Sequence, residues 1–302
     1  MQAPYAIIDL GTNTFHLLIT TEKETLHELR RPVRLGQGGI NQDHITDAAM
    51  DRAKQCLTHY KQVAQDYGVA KIIAIGTSAL RNAKNASFFV SEIFRTTGIE
   101  VQIISGEQEA ELIYQGVKAG MDLGSNNSLI VDIGGGSVEF IIANRAGVLW
   151  KQSFEVGGQR LIEKFQVSDP IQQDEINAIN QYLEDTLAAL KLAILEFMPD
   201  VLVGSSGSFD TLSEIYCLQN QITYAPDGES PITMDFLQSA MESILKKDRK
   251  ARMQIPGMIE LRVDLIVVGV VLIKKLLDIR EFSSVRVSSY SLKEGVRSVM
   301  LK

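Results

Sequence analysis

The chain has 302 residues, 45% of them hydrophobic and 22% charged, with a formal net charge of −7. This is apolar material for a full core in two domains of ordinary size, and the acidic balance excludes a protein that wraps nucleic acid through a general basic surface. The longest apolar run, residues 265–273, is too short to cross a bilayer, and the first apolar strand reaches Asp9 too early for a signal peptide. Two cysteines, Cys56 and Cys217, in no metal-type spacing, fit a reducing cytoplasm.

In chain order, residues 6–19 read as a hairpin: an apolar strand ends at Asp9, a turn of Gly11, Thr12 and Asn13 follows, and a second apolar strand leaves. Residues 26–33 form a third strand before the loop 34–39. Thr46 caps a helix whose apolar positions Met50, Ala53, Leu57, Tyr60 and Ala64 keep helical spacing until Gly68. A strand at 71–75, a helix at 86–97 and a strand at 99–104 come next. The Gly/Asn/Ser-rich connector 119–127 marks the expected boundary between domains 1–121 and 122–302, with the final helix allowed to pack back on the first domain. The second half then repeats the outline: hairpin 129–142, a strand at 148–156, one long helix from Asp169-Pro170 towards Met198, a strand at 201–204, a buried helix at 261–277, a strand at 285–288 and a last helix. The expected fold is α/β, a duplicated β-β-β-α-β-α-β unit with a cleft between the halves.

The two hairpins match residue for residue without a gap, Asp9 falling on Asp132 and Gly11-Thr12-Asn13 on Gly134-Gly135-Gly136. Glycine admits positive φ angles and lets an anion approach without a Cβ in the way, so successive N–H groups can converge on phosphate oxygens. An Asp at the strand end suits a hard cation beside that phosphate. One copy alone is as well explained by an ordinary Gly-rich turn; two in register favour function. Glu139 lies two residues beyond Ser137 and shares its face of the sheet, whereas the first hairpin has His16 at the equivalent place. Glu109 lies near the start of a helix, where its residues alone fit a capping role together with Glu107. Arg81 and Arg34 fit surface arginines as well as phosphate ligands. The basic run 246–252 reads as a solvated helix end that could also guide a polyanion.

Four ordered motifs, residues 9–13, 77–81, 104–110 and 131–139, resemble the exopolyphosphatase and guanosine pentaphosphate phosphohydrolase family of the actin-like ATPase superfamily, and residues 204–208 and 292–295 extend the likeness over nearly the whole chain. The resemblance implies two duplicated actin-like (ribonuclease H-like) domains with an interdomain active-site cleft. By it, Glu109 corresponds to a catalytic base, Arg81 to a phosphate-binding arginine, and Asp132 and Glu139 to metal-associated carboxylates, with Asp9 a weaker third. Gly11, Thr12, Asn13, Gly134, Gly135, Gly136 and Ser137 would bind phosphate. The implied activity is Mg²⁺- or Mn²⁺-dependent hydrolysis of a terminal phosphoanhydride, the substrate inorganic polyphosphate or guanosine pentaphosphate, with no nucleic-acid or membrane partner and a homodimer allowed for.

Departures are mild. Thr12 stands where the family often has Ser, Val138 where Thr is common, and Ser289-Tyr290-Ser291 replaces a more Gly-rich stretch. Longer members continue into helical C-terminal domains, so the chain reads as the short form. An actin-like small-metabolite kinase and a non-catalytic nucleotide-gated binding module are the alternatives of other classes.

Overall fold

Strand β1 (Tyr5–Leu10) turns back into β2 (Thr14–Thr20), which pairs with β3 (Thr25–Pro32). After a single 3₁₀ turn (Ile40–Gln42) come α1 (Asp47–Asp66), β4 (Lys71–Gly76), α2 (Ser78–Asn82), α3 (Ala86–Thr97), β5 (Val101–Ile103) and α4 (Gly106–Gly120). The chain then starts over with β6 (Ser128–Ile133), β7 (Val138–Asn144) and β8 (Gly147–Phe154). Helices α5 (Gly158–Phe165), α6 (Gln173–Thr186) and α7 (Ala188–Phe197) lead to β9 (Val201–Ser205) and α8 (Gly207–Gln219). Last are β10 (Glu229–Ser230), α9 (Met234–Lys246), α10 (Arg249–Arg252), α11 (Leu265–Ile279), β11 (Ser284–Ser288) and α12 (Leu292–Met300). This computed structural model describes residues 3–22, 24–224 and 227–300, so the outer ends of the two expected domains, 1–2 and 301–302, lie outside the described residues.

The first sheet runs β3-β2-β1-β4-β5 and the second β10-β11-β9-β6-β7-β8. Setting aside the two-residue β10, the orders coincide: an antiparallel hairpin and third strand, then two strands parallel to the first. This duplicated order is that of the actin-like, ribonuclease H-like fold. Asp9 pairs with His16 in one hairpin and Asp132 with Glu139 in the other.

Three apolar cores hold the sheets. Helices α1 and α3 cover one face of the first sheet through Leu57, Tyr60, Phe89 and Ile93. Helix α11, buried from Ile266 to Ile273, anchors a larger core on the outer face of the second. Between the sheets lie α4 and α12, with Ile113, Val117, Leu292 and Val296 packed against Ile7, Leu18, Ile130 and Ile141. Their approach depends on glycine: a Cβ on Gly116 would stand 1.9 Å from the Ser291 carbonyl oxygen, and one on Gly295 1.8 Å from that of Leu112. Covered on both faces, β6 is buried along its whole length.

Two readings change. The single helix expected from Asp169-Pro170 to Met198 is two, α6 and α7, broken at Leu187. It begins later because Glu175 accepts from the backbone of Ser168 at 2.8 Å and of Gln172 at 2.7 Å, holding residues 168–172 as a turn outside the helix. The basic run is a solvated end except at its last residue: the Lys246 side chain is 78% exposed, whereas Arg252 is buried, donating to the carbonyls of Lys247 and Val263 and pairing with Asp169 at 2.9 Å.

Candidate active site

The carboxyl ends of the parallel strands β1, β4, β6, β9 and β11 point to one cleft, the place where open α/β sheets bind ligands. It is lined by Asp9, Gly11, Thr12, Asn13, Glu109, Asp132, Gly134, Gly135, Gly136, Ser137 and Glu139, and so gathers nearly every residue singled out in the sequence. Arg81 reaches it through Glu109. Arg34 does not: its side chain lines a neighbouring cavity, while its N–H donates to the Asn13 carbonyl at 2.7 Å and backs the first turn.

The glycines act differently from expectation. None of Gly11, Gly134, Gly135 and Gly136 takes a positive φ. Gly135 and Gly136 are small because the two turns touch, whereas a Cβ on Gly11 or Gly134 would meet its own turn, 2.8 Å from the Thr14 carbonyl oxygen and 2.9 Å from that of Ser137. A Cβ on Gly135 would stand 2.7 Å from Asn13 Nδ2, and one on Gly136 2.4 Å from Ser78 Oγ and 2.5 Å from Thr12 Oγ1. The Gly134 N–H closes its own turn on the Ser137 carbonyl at 3.1 Å.

Helix α4 begins with a capping box, Ser105 and Gln108 each satisfying the other's backbone. The cap is therefore made without Glu109, which turns inward and is buried. Arg81 Nη1 donates to its Oε2 at 2.7 Å. Burial still dominates, against the macrodipole and this arginine, and pushes the Glu109 carboxyl up to about 7.

Asp132 Oδ2 accepts from Ser205 Oγ at 3.1 Å, Ser206 Oγ at 2.8 Å and Ser291 Oγ. Glu139 accepts from Ser153 Oγ at 2.6 Å. Burial raises both carboxyls, that of Glu139 well above its usual range with Glu109 and Asp132 adding repulsion. Asp9 is pushed up to about 8 by burial, then by Glu109 and Asp132, and its Oδ1 is buried without a hydrogen-bond partner. His16, lowered to about 3 by burial and the nearby Lys293, Arg262 and Arg30, stays neutral.

This donor set fits a hard divalent cation. All the groups are oxygens, one is orphaned, and burial raises four acids together, with Glu109 and Asp132 adding repulsion at Asp9 and Glu139. Among the described residues no three His, Cys, Asp or Glu side chains gather tightly enough to hold an ion alone.

Sequence reasoning assigned no role to Ser206, Ser291, Glu155, Arg160 or Arg262. Ser205 faces Asp132 across the β6–β9 pairing, and Arg262 stands over the start of α8, where a Cβ on Gly207 would be 2.3 Å from its Nη1. Of these only Ser206 carried a signal, since residues 204–208 already belonged to the family pattern, whereas Ser291 fell in a stretch that departs from it. Their contact with Asp132 depends on strand pairing that is distant in sequence.

A sequence model of the Ppx/GppA phosphatase family matches residues 19–302. The chain belongs to the Ppx/GppA phosphatase family. It is similar to the crystal structure of an exopolyphosphatase from Cytophaga hutchinsonii, with 40% identity, a TM-score of 0.95, and coverage of 99% of this chain and 97% of that one. Two Aquifex aeolicus Ppx/GppA structures match at 26% identity (TM-score 0.75, covering 98% of this chain and 99% of that one) and 25% identity (0.79, 99% and 97%). As a Ppx/GppA phosphatase it is an enzyme, a phosphoanhydride hydrolase. No helix of the described residues is long and apolar enough to cross a membrane.

Proposed function

We propose that the chain is an exopolyphosphatase, releasing single phosphates from the end of inorganic polyphosphate with help from Mg²⁺ or Mn²⁺. The observation that carries this reading is the meeting of two Asp-led turns around a cleft of about 110 Å³ that holds a buried Glu109–Arg81 pair. It is supported by the 40%-identical exopolyphosphatase.

In this reading the terminal phosphate lies in the cleft lined by residues 11–13 and 134–137. Arg81 and the turn amides face its equatorial oxygens, where charge moves in the transition state. Glu109, once ionised, orients the attacking water and takes its proton. Asp132, Glu139 and Asp9 are the residues that would hold the cation, which when bound supplies charge neutralisation beside the phosphate. The serines on Asp132 keep its carboxylate aimed into the cleft. Two buried cysteines without a disulfide favour a cytoplasmic setting.

A second reading, guanosine pentaphosphate as substrate, has one observation in its favour. A cavity that shares Asn13 and Leu265 with the cleft combines apolar Ile162, Leu261 and Val267 with polar Gln37, Gln159 and Ser168, the mixture a purine slot needs. Competition between polyphosphate and guanosine pentaphosphate at equal terminal-phosphate concentration separates the two. Higher kcat/KM for polyphosphate is expected, and a clear preference for the nucleotide assigns the second reading.

A further inference from the structure

Glu155, at the end of β8, is held by three donors drawn from both halves of the molecule. Ser78 Oγ donates to its Oε2 at 2.5 Å, Arg81 Nη2 to its Oε1 at 3.0 Å and Arg160 Nη2 to its Oε2 at 3.0 Å. The donors are themselves fixed. Arg81 is also bound to Glu109, and Arg160 donates to the carbonyls of Gly136 at 3.2 Å and Ile40 at 2.9 Å. Arg81 and Arg160 keep only 16% and 11% of their side chains exposed, whereas Glu155 keeps 38%. The acid is therefore the member of the cluster most open to solvent, and the donors are the enclosed ones.

Their position ties this cluster to the cleft. Ser78 lines the cleft beside Gly136, and Arg160 grips the carbonyl of that same residue. Two guanidinium groups and a hydroxyl converging on one oxyanion form a geometry that a phosphate, with three terminal oxygens, satisfies at least as well as a carboxylate.

Resting on the phosphoanhydride-hydrolase reading, we propose that Ser78, Arg81 and Arg160 form an oxyanion subsite for one phosphate of the substrate, which Glu155 fills when substrate is absent and vacates when it binds. Glu155 is thus an internal competitor. A substrate with several phosphates is anchored elsewhere in the cleft and displaces it readily, while a lone inorganic phosphate must displace it unaided. The arrangement favours entry of a chain end and departure of the product.

Calorimetric titration with inorganic phosphate tests this without requiring turnover. Glu155→Gln should bind phosphate about tenfold more tightly than the natural protein, the change expected when a subsite free about one-tenth of the time becomes free throughout. Adding Ser78→Ala to that variant should return the affinity towards the original. Glu155→Ala, which leaves no acceptor in the subsite, should shift affinity in the same direction, with far-UV circular dichroism confirming the fold. Unchanged or weaker phosphate binding in the folded variants overturns the proposal. Tighter binding in a protein that hydrolyses neither polyphosphate nor guanosine pentaphosphate leaves the subsite standing and overturns the functional reading instead.

Discussion

At the scale of single residues, Glu109 has to ionise before it can act as a base, and burial holds its carboxyl near 7. Turnover should rise as pH climbs through about 7 and level off above it, because only the ionised form takes a proton from water. Arg81 lowers that carboxyl, so Arg81→Gln should move the rising limb to higher pH as well as weaken substrate binding. Glu109→Gln should fold normally and lose about 10²–10⁴-fold in turnover, the usual worth of general-base catalysis; near-normal rates in the purified variant remove Glu109 from the mechanism. Asp9 gives a stability test. Its folded carboxyl lies at about 8, far above the usual 3.8, so folding favours its protonated form, and that contribution is lost as pH rises from about 4 to 8. Asp9→Asn carries no such penalty. It should melt close to the natural protein at pH 4 and above it at pH 8 in the absence of divalent cations, and equal melting at both pH values removes the strain assigned to Asp9.

At the scale of elements, the two hairpin turns work as a pair. Glycines that look like sources of backbone freedom are there for closeness, since Gly136 sits against Ser78 and Thr12, and Gly135 against Asn13. Gly135→Val should force the turns apart, costing about 1–3 kcal/mol as overpacking does and lowering kcat/KM by more than the loss of stability explains. Denaturant midpoints and initial rates on the same samples check both halves of that expectation, and unchanged rates in a folded variant detach this turn from the substrate. On the second strand pair, Asp132→Asn should weaken activation by Mg²⁺, because the amide lacks the charge that retains a hard cation. An unchanged activation curve places the ion elsewhere.

At the scale of the whole molecule, the two sheets are joined through α4 and α12. The last helix crosses α4 where Gly116 meets the Ser291 carbonyl and Gly295 meets that of Leu112. We retain the division after residue 121 as a proposal, with the qualification that α12 packs on the first half's α4 and completes the core between the sheets. Gly295→Val should drive these helices apart, lowering the unfolding midpoint and, because both faces of the cleft are referenced to α4, activity along with it. A variant with lowered stability but intact turnover uncouples the helix crossing from the cleft.

The local chemistry of the chain was sufficient for much of this. Asp9-Leu10-Gly11 and Asp132-Ile133-Gly134, each between apolar strands, encode a hairpin by short-range pairing alone, and caps such as Thr46 and Ser105 satisfy amides only three residues away. Those signals were enough for the duplicated fold and for the two Asp-led turns that line one cleft, whereas Glu109 was singled out only by the resemblance to the family, its own residues fitting a cap. What they could not contain is whatever depends on a distant neighbour. Leu187 ends one helix and starts another, Arg252 is drawn inside by Asp169, and one oxygen of the Asp132 carboxylate, Oδ2, is held by serines at the end of β9 and just before α12. Glu155, an unremarked strand-end acid in the sequence, binds Arg81 and Ser78 across the cleft. Periodicity and turn chemistry act over a few residues and are written in the order of the chain, whereas burial, repulsion between carboxylates and convergence of donors arise only when strands far apart in sequence are brought side by side.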